Sequence, residues 1–287
     1  MASFRRLVAA FGFTAIEVSH STDAAGLEVL RGDGDIPLSS LHAPTPRRRL
    51  ADGRFNGDSN LASTDPDERR LALEETKRTI EIAAAAKLDR VVLHLGGVGN
   101  FMSEPERRLR RLYESGAHEG EAVEQARDEL RRFRAEGIDA HLEAARDSLR
   151  ELVELAAPKG DEALYLLSDY DDAVAGYWHD VGHCEVQARL GLIDRAAWFP
   201  KLTARTIGSH LHDVDGILDH RSPGNGDVDW SYIAAGLPPT ALRVFEIDQR
   251  QSEASVAASI AYLQELGVVQ GSVSPRTGED SRPGPRR

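Results

Sequence analysis

Thr206-Ile-Gly-Ser-His-Leu-His212 is the stretch on which the fold turns. Its β-branched start marks a strand, and alternation puts Gly208, His210 and His212 on one face, the small residue deep and the imidazoles at the exit. The layout recurs outward from there. In Leu242-Arg-Val-Phe-Glu-Ile247, Leu242 and Val244 share a face with Glu246. Val92 shares one with His94, Ser40 with His42, Ala15 with Glu17, and Gly176 and Trp178 with Asp180. A single strand histidine is an ordinary structural residue. Several strands that all carry ionisable groups at their exits describe a parallel barrel with a packed interior and an active site on the C-terminal rim.

The strands expected are 15–19, 38–42, 90–95, 174–181, 206–212 and 242–248, separated by helical patterns in the alternation of an α/β chain. Asp65-Pro66-Asp67-Glu68 reads as an N-cap, a proline in the first turn and a capping-box acid, opening a helix with Leu73, Ile80 and Ala84 on one face. Leu142, Ala145, Leu149, Leu152 and Ala156 mark a second core-facing helix, and Val256, Ile260 and Leu263 a third. Phe4 to Ala10 reads as a helix with no strand before it. Residues 104–136 are charge-dense and helical, their arginines a solvated face. Residues 43–63 form a long loop, and 271–287 a disordered tail. A single barrel domain over 1–270 is expected.

Across 287 residues, 35 Lys and Arg against 47 Asp and Glu leave a net charge of −12, which repels phosphate backbones and anionic membranes. No apolar run reaches the roughly 18 to 20 residues of a membrane helix, so a cytoplasmic protein is expected. The lone Cys184 excludes an intrachain disulfide and a thiolate zinc cluster. Any metal is therefore held by oxygen and imidazole. The richest donor set is His179-Asp-Val-Gly-His183, Ser209-His-Leu-His-Asp213 and Glu246, whose donors suit Mn²⁺, Co²⁺, Zn²⁺ or Mg²⁺ alike. Asp219-His-Arg-Ser-Pro-Gly-Asn-Gly-Asp-Val-Asp-Trp230 reads as a polar loop ending in a helix capped by Asp227 or Asp229. Cys184 reads as a buried small side chain, Trp178 and Trp230 as pocket wall or core, and His118 and His141 as solvated.

Taken in order, Phe11-Gly-Phe-Thr-Ala-Ile-Glu-Val18, Leu41-His-Ala-Pro44, Val91-Val-Leu-His-Leu-Gly-Gly97, His179-Asp-Val-Gly-His183, His210-Leu-His-Asp-Val-Asp-Gly216, Pro223-Gly-Asn-Gly-Asp-Val-Asp-Trp230 and Val244-Phe-Glu-Ile247 resemble the sugar phosphate isomerase/epimerase family. The resemblance runs from about residue 7 to 267 and implies a xylose isomerase-like (β/α)8 TIM barrel, a fold shared with endonuclease IV. It implies a divalent metal held by Asp180, His210 and Glu246, with His183 beside it on the substrate and Glu246 also moving a proton. His42, His94, His212, His220 and Glu17 are then the expected contacts to a sugar or sugar phosphate.

The pattern is incomplete. In the family, a strand after the helix that matches 139–157 carries a Glu-Asn whose glutamate is both ligand and second base. Here Leu155-Ala-Ala-Pro-Lys-Gly160 leads straight into a helical Asp161-Glu-Ala-Leu-Tyr-Leu-Leu167. With no strand ahead of Phe4, six of eight staves are expected, lacking strand 1 and the strand 5 region, and the open edges give a reason for self-association into a homo-oligomer. Two alternatives to the isomerase stand. One is a catalytically impaired relative that only binds ligand. The other is an endonuclease IV-like phosphodiesterase with a multinuclear zinc shell drawn from His42, His94, Asp180, His183, His210, His220 and Glu246, against which the negative charge argues.

Overall fold

The computed structural model describes residues 1–270 apart from 33, 35, 100, 101 and 157–174. In chain order its strands are β1 (Ile16–Val18), β2 (Leu38–His42), β3 (Val91–Val92), β4 (Tyr177–Asp180), β5 (Thr206–Leu211), β6 (Asp213–Asp215), β7 (Leu218–Arg221) and β8 (Leu242–Phe245). The helices are α1 (Ala2–Ala10), α2 (Ala24–Arg31), α3 (Pro66–Ala85), α4 (Glu104–Glu114), α5 (Glu121–Ala135), α6 (Ile138–Ala156), α7 (Val181–Arg189), α8 (Trp198–Leu202), α9 (Trp230–Gly236) and α10 (Glu253–Glu265).

Among the named strands all pairing outside the β6–β7 hairpin is parallel, in two three-stranded arcs ordered β1-β2-β3 and β4-β5-β8. Among the described residues the ring is thus interrupted between β3 and β4 and between β8 and β1, the partial barrel expected from the sequence. At the second interruption Phe13 and Phe245 pack edge-on, ring centroids 5.1 Å apart. The expected strand-5 gap, the helix read from Asp161, Val174 and the tail 271–287 lie outside the described residues.

Strand alternation sorts the side chains as anticipated. Ile16, Val18 and Leu41 point outward and are buried in one core cluster with Leu27 and Leu30 of α2 and Ala83 of α3, leaving Glu17, Ser40 and His42 to face inward. A larger core joins Leu109, Val123, Ala126 and Leu130 to Leu211, Val214, Trp230 and Leu263, so Trp230 is core rather than pocket wall. Trp178 lies in register with Gly208, whose missing side chain makes room for the indole. Its ring meets His210 edge-on at 5.4 Å, putting an apolar floor under the site.

Four expectations need correction. The expected strand 174–181 stops at Asp180, because that carboxylate accepts the His183 N–H at 2.8 Å and caps α7. The stretch read as a polar loop from Asp219 is in part the return strand of a hairpin; Asp229 is the cap of α9, accepting from Tyr232 N. On α3, Ala84 is exposed and the buried face includes Glu75, Thr76 and Thr79. That face is polar because it anchors the 43–63 loop: Thr45 N donates to Thr79 Oγ1 at 2.8 Å, and Arg48 Nε and Asn56 Nδ2 donate to Glu75 Oε2 at 2.8 and 3.1 Å. Likewise Leu142 of α6 is exposed while Ala145, Leu149 and Leu152 are buried. No helix among the described residues is long and apolar enough to cross a membrane.

Candidate active site

The site is assembled at the C-terminal ends of β1, β2, β4, β5 and β8. Asp180 leaves β4 in register with His210 of β5, and Glu246 follows β8 with its N–H bonded to Leu211 O at 3.2 Å. His210 Nδ1 lies 3.0 Å from Glu246 Oε2 and 3.5 Å from Asp180 Oδ2. The ligand-capable atoms of Asp180, His210 and Glu246 all fall within 4.8 Å of one another. On its far side His210 Nε2 meets Glu17 Oε1 at 2.8 Å, and Ser40 Oγ donates to Glu17 Oε2 at 2.6 Å.

Burial opposes charge on His210, but Asp180, Glu17 and Glu246 outweigh it and raise its pKa to about 10, so the imidazole carries a positive charge here that a bound divalent ion would replace. Burial opposes charge on Asp180, but the His210 and His212 imidazoles outweigh it and hold the carboxyl well below its usual range. Asp180 Oδ2 is nonetheless buried with no hydrogen-bond partner. A buried anionic oxygen facing an imidazole nitrogen and a second carboxylate is a donor set for a hard or borderline divalent ion.

His212 is fully buried and its ring is fixed at both nitrogens. The His220 backbone N–H donates to Nδ1 at 2.8 Å, so Nε2 carries the proton and donates to Asp180 Oδ1 at 3.0 Å. The donor is aimed by an unusual backbone: His220 has φ 55°, the left-handed region that non-glycine residues rarely enter. The two imidazoles stack with centroids 4.2 Å apart. Asp213, fully buried, holds the hairpin and the following loop in place. Its Oδ1 accepts from Val214 N at 3.0 Å and Val228 N at 3.1 Å, its Oδ2 from Gly224 N at 2.8 Å and Trp230 Nε1 at 3.3 Å.

The remaining expected residues fall around this centre. His183, with 45% of its side chain exposed, stands over Asp180 (Nδ1 to Oδ2, 3.4 Å) and Asp219 (Nε2 to Oδ2, 3.6 Å). His220 reaches Asp219 Oδ1 at 3.0 Å and lies 3.9 Å from Glu246 Oε2. His42 is buried beneath a run of rings: His20 and His94 at 4.9 Å and His210 at 5.3 Å. Burial, then the neighbouring imidazoles of His94, His210 and His20, push His42 down to about 2, so it is neutral, and its Nε2 has no hydrogen-bond partner. Glu17 is deeper than a rim residue, its side chain 6% exposed.

Sequence reasoning gave His20, Ser40 and Asp219 no role in the site, and placed Asp213 in the donor string without its part in holding the hairpin and loop. Ser40 and His20 were legible as neighbours of expected site residues, one on the His42 face of its strand and the other three residues past Glu17; Asp213 and Asp219 needed the hairpin to be recognised. The arginines of α4 and α5 form ion pairs within the helical pair, among them Arg107–Glu104, Arg108–Glu129, Arg110–Glu106 and Arg131–Asp128, the solvated face anticipated.

Compared with known proteins, the chain matches no curated sequence. Among solved structures it resembles an L-ribulose 3-epimerase at 14% identity and TM-score 0.59, covering 96% of this chain and 93% of that one. It resembles a D-tagatose 3-epimerase-like protein at 18% identity and TM-score 0.58, covering 93% and 92%. It also resembles D-psicose 3-epimerase from Clostridium cellulolyticum H10, with D-tagatose, at 13% identity and TM-score 0.57, covering 92% and 93%. At such identities these likenesses speak for the fold. A family model, the xylose isomerase-like TIM barrel, matches residues 5–266, and the chain belongs to that family.

Proposed function

We propose that the protein is a divalent-metal-dependent isomerase or epimerase of a small polyhydroxylated substrate, a sugar or sugar phosphate, working by proton transfer from a single domain over 1–270. The observation that carries this is the convergence of Asp180, His210 and Glu246, with Asp180 Oδ2 buried among them and making no hydrogen bond. These residues would hold the ion, and a bound divalent cation would polarise a substrate carbonyl and its neighbouring hydroxyl. The two oxygens and one nitrogen leave Mn²⁺, Co²⁺, Mg²⁺ and Zn²⁺ open. Structural neighbours named as ketose 3-epimerases support the substrate class.

The chain's own groups divide the work by exposure. Glu246, a quarter exposed, is reachable by substrate and takes the proton from the carbon bearing a hydroxyl beside the carbonyl; handing it to the neighbouring carbon while a proton passes between the two oxygens completes an isomerisation, whereas inversion at the same carbon needs a second acid on the opposite face. His183, with nearly half of its side chain exposed, contacts substrate hydroxyls from the first turn of α7. His94 and His220 line the approach, and His42 and Trp178 keep water from the floor. The phosphodiesterase alternative would draw further ions to His42, His94, His183 and His220 beside the trio of Asp180, His210 and Glu246, and the net charge of −12, which repels a phosphate backbone, speaks against it.

The test is exchange of substrate carbon-bound hydrogen with heavy water, over a panel of ketoses and their phosphates with Mn²⁺ added. The native chain is expected to exchange a hydrogen adjacent to the carbonyl, and Glu246→Gln to slow this by about 10²–10⁴-fold, the usual worth of a positioned base. Ligand binding by the native chain without exchange would favour the impaired relative instead.

A further inference from the structure

We propose that Glu17 is a positioning residue that locks His210 in the orientation and tautomer needed to ligate through Nδ1; this rests on the metal reading above and deepens it. Both oxygens of Glu17 are spent inside the protein, Oε2 on Ser40 Oγ at 2.6 Å and Oε1 on His210 Nε2 at 2.8 Å, so it presents none to substrate. The β1–β2 register sets Glu17 opposite Ser40, and the serine, fully buried, braces the carboxylate. With Nε2 tied to Glu17, the other nitrogen of His210 is the one directed at Asp180 and Glu246. A carboxylate behind an imidazole ligand fixes the ring, keeps the proton on the far nitrogen and raises the basicity of the near one. The contact also joins the two arcs of the barrel, since Glu17 belongs to β1 and His210 to β5.

The experiment compares the full chain with Glu17→Gln, Glu17→Ala and Ser40→Ala after chelator stripping. Co²⁺ is titrated while its visible absorption is followed, and the His210 side chain is followed by long-range ¹⁵N correlation in the metal-free protein. Glu17→Gln keeps shape and an acceptor but loses the charge, and is expected to weaken Co²⁺ binding about 10–100-fold, with Glu17→Ala weaker still and Ser40→Ala in between parent and Gln. The Nε2–H signal of His210 is expected to shift in the Glu17 variants, which a role in packing alone would not produce. Parent-like affinities in the Glu17 variants, with a parent that binds Co²⁺, overturn this proposal and leave the metal site standing. A parent that binds no Co²⁺ overturns both. If Glu17→Ala does not fold, the isosteric Gln and the Ser40 variant decide.

Discussion

Asp213→Asn isolates the residue that shapes the site's outer wall without touching the proposed metal ligands. Four N–H groups converge on the two oxygens of this buried side chain. An amide keeps one oxygen, so whichever way it turns, two donors lose their acceptor: either Gly224 N and Trp230 Nε1, or Val214 N and Val228 N. Each orphaned buried donor costs about 1–3 kcal/mol, and the two retained bonds lose their charge assistance. Allowing for non-additivity, the expected loss is about 3–4 kcal/mol, a large share of the roughly 5–15 kcal/mol that holds a domain together. Urea denaturation measures it directly: the midpoint should fall while the slope stays constant. The hairpin and the loop from Ser222 to Asp229 should also lose amide exchange protection ahead of the rest, His220 among them. A change within about 0.5 kcal/mol, the range of a surface substitution, would refute the assignment of Asp213 as the organiser of this wall.

Two further outcomes test the scaffold. Burial raises the pKa of Glu75, but the Arg48 guanidinium outweighs it and leaves the carboxyl below its usual range. Its contribution is therefore full above the unfolded-state value and lost as pH falls through the lower folded one. The melting difference between parent and Glu75→Gln should be largest near neutrality and shrink between about pH 5 and pH 3, and a constant gap would contradict the pairing. A Cβ at Gly182 would collide with the His212 ring, which is buried, stacked on His220 and bonded at both nitrogens, so it has nowhere to retreat. Gly182→Ala should cost about 1–3 kcal/mol in urea melts and weaken Mn²⁺ binding through Asp180, and unchanged melts would show that the ring is free to move.

The strands and their inward faces were legible because period-two alternation is local: Gly208, His210 and His212 announce their own side of the sheet. The metal trio followed from the same pattern plus the resemblance. What escaped was polar burial that only tertiary structure justifies. Glu75 and Thr79 break the apolar stripe of α3 because the backbone and side chains of the 43–63 loop need partners there, while the Thr76 hydroxyl donates within the helix to Ala72 O. His141, read as solvated, lies against Ala62 O at 2.6 Å for the same reason. The β6–β7 hairpin was hidden because Leu218 is 55% exposed and Asp213 fully buried, the reverse of what hydrophobicity suggests. The end of β4 was readable in hindsight from Asp180 and the N–H three residues later, an N-cap placed on a strand exit.

Everything proposed for this protein depends on Asp180, His210 and Glu246 forming one divalent-ion site. The most direct measurement is Mn²⁺ binding by calorimetry on chelator-stripped protein, with Asp180→Asn and Glu246→Gln alongside and thermal melts of each. About one ion per native chain is expected, with a melt raised by the ion as mass action requires and binding lost or sharply weakened in both variants. Absence of binding by the folded native chain, or binding undiminished in both variants, would contradict it.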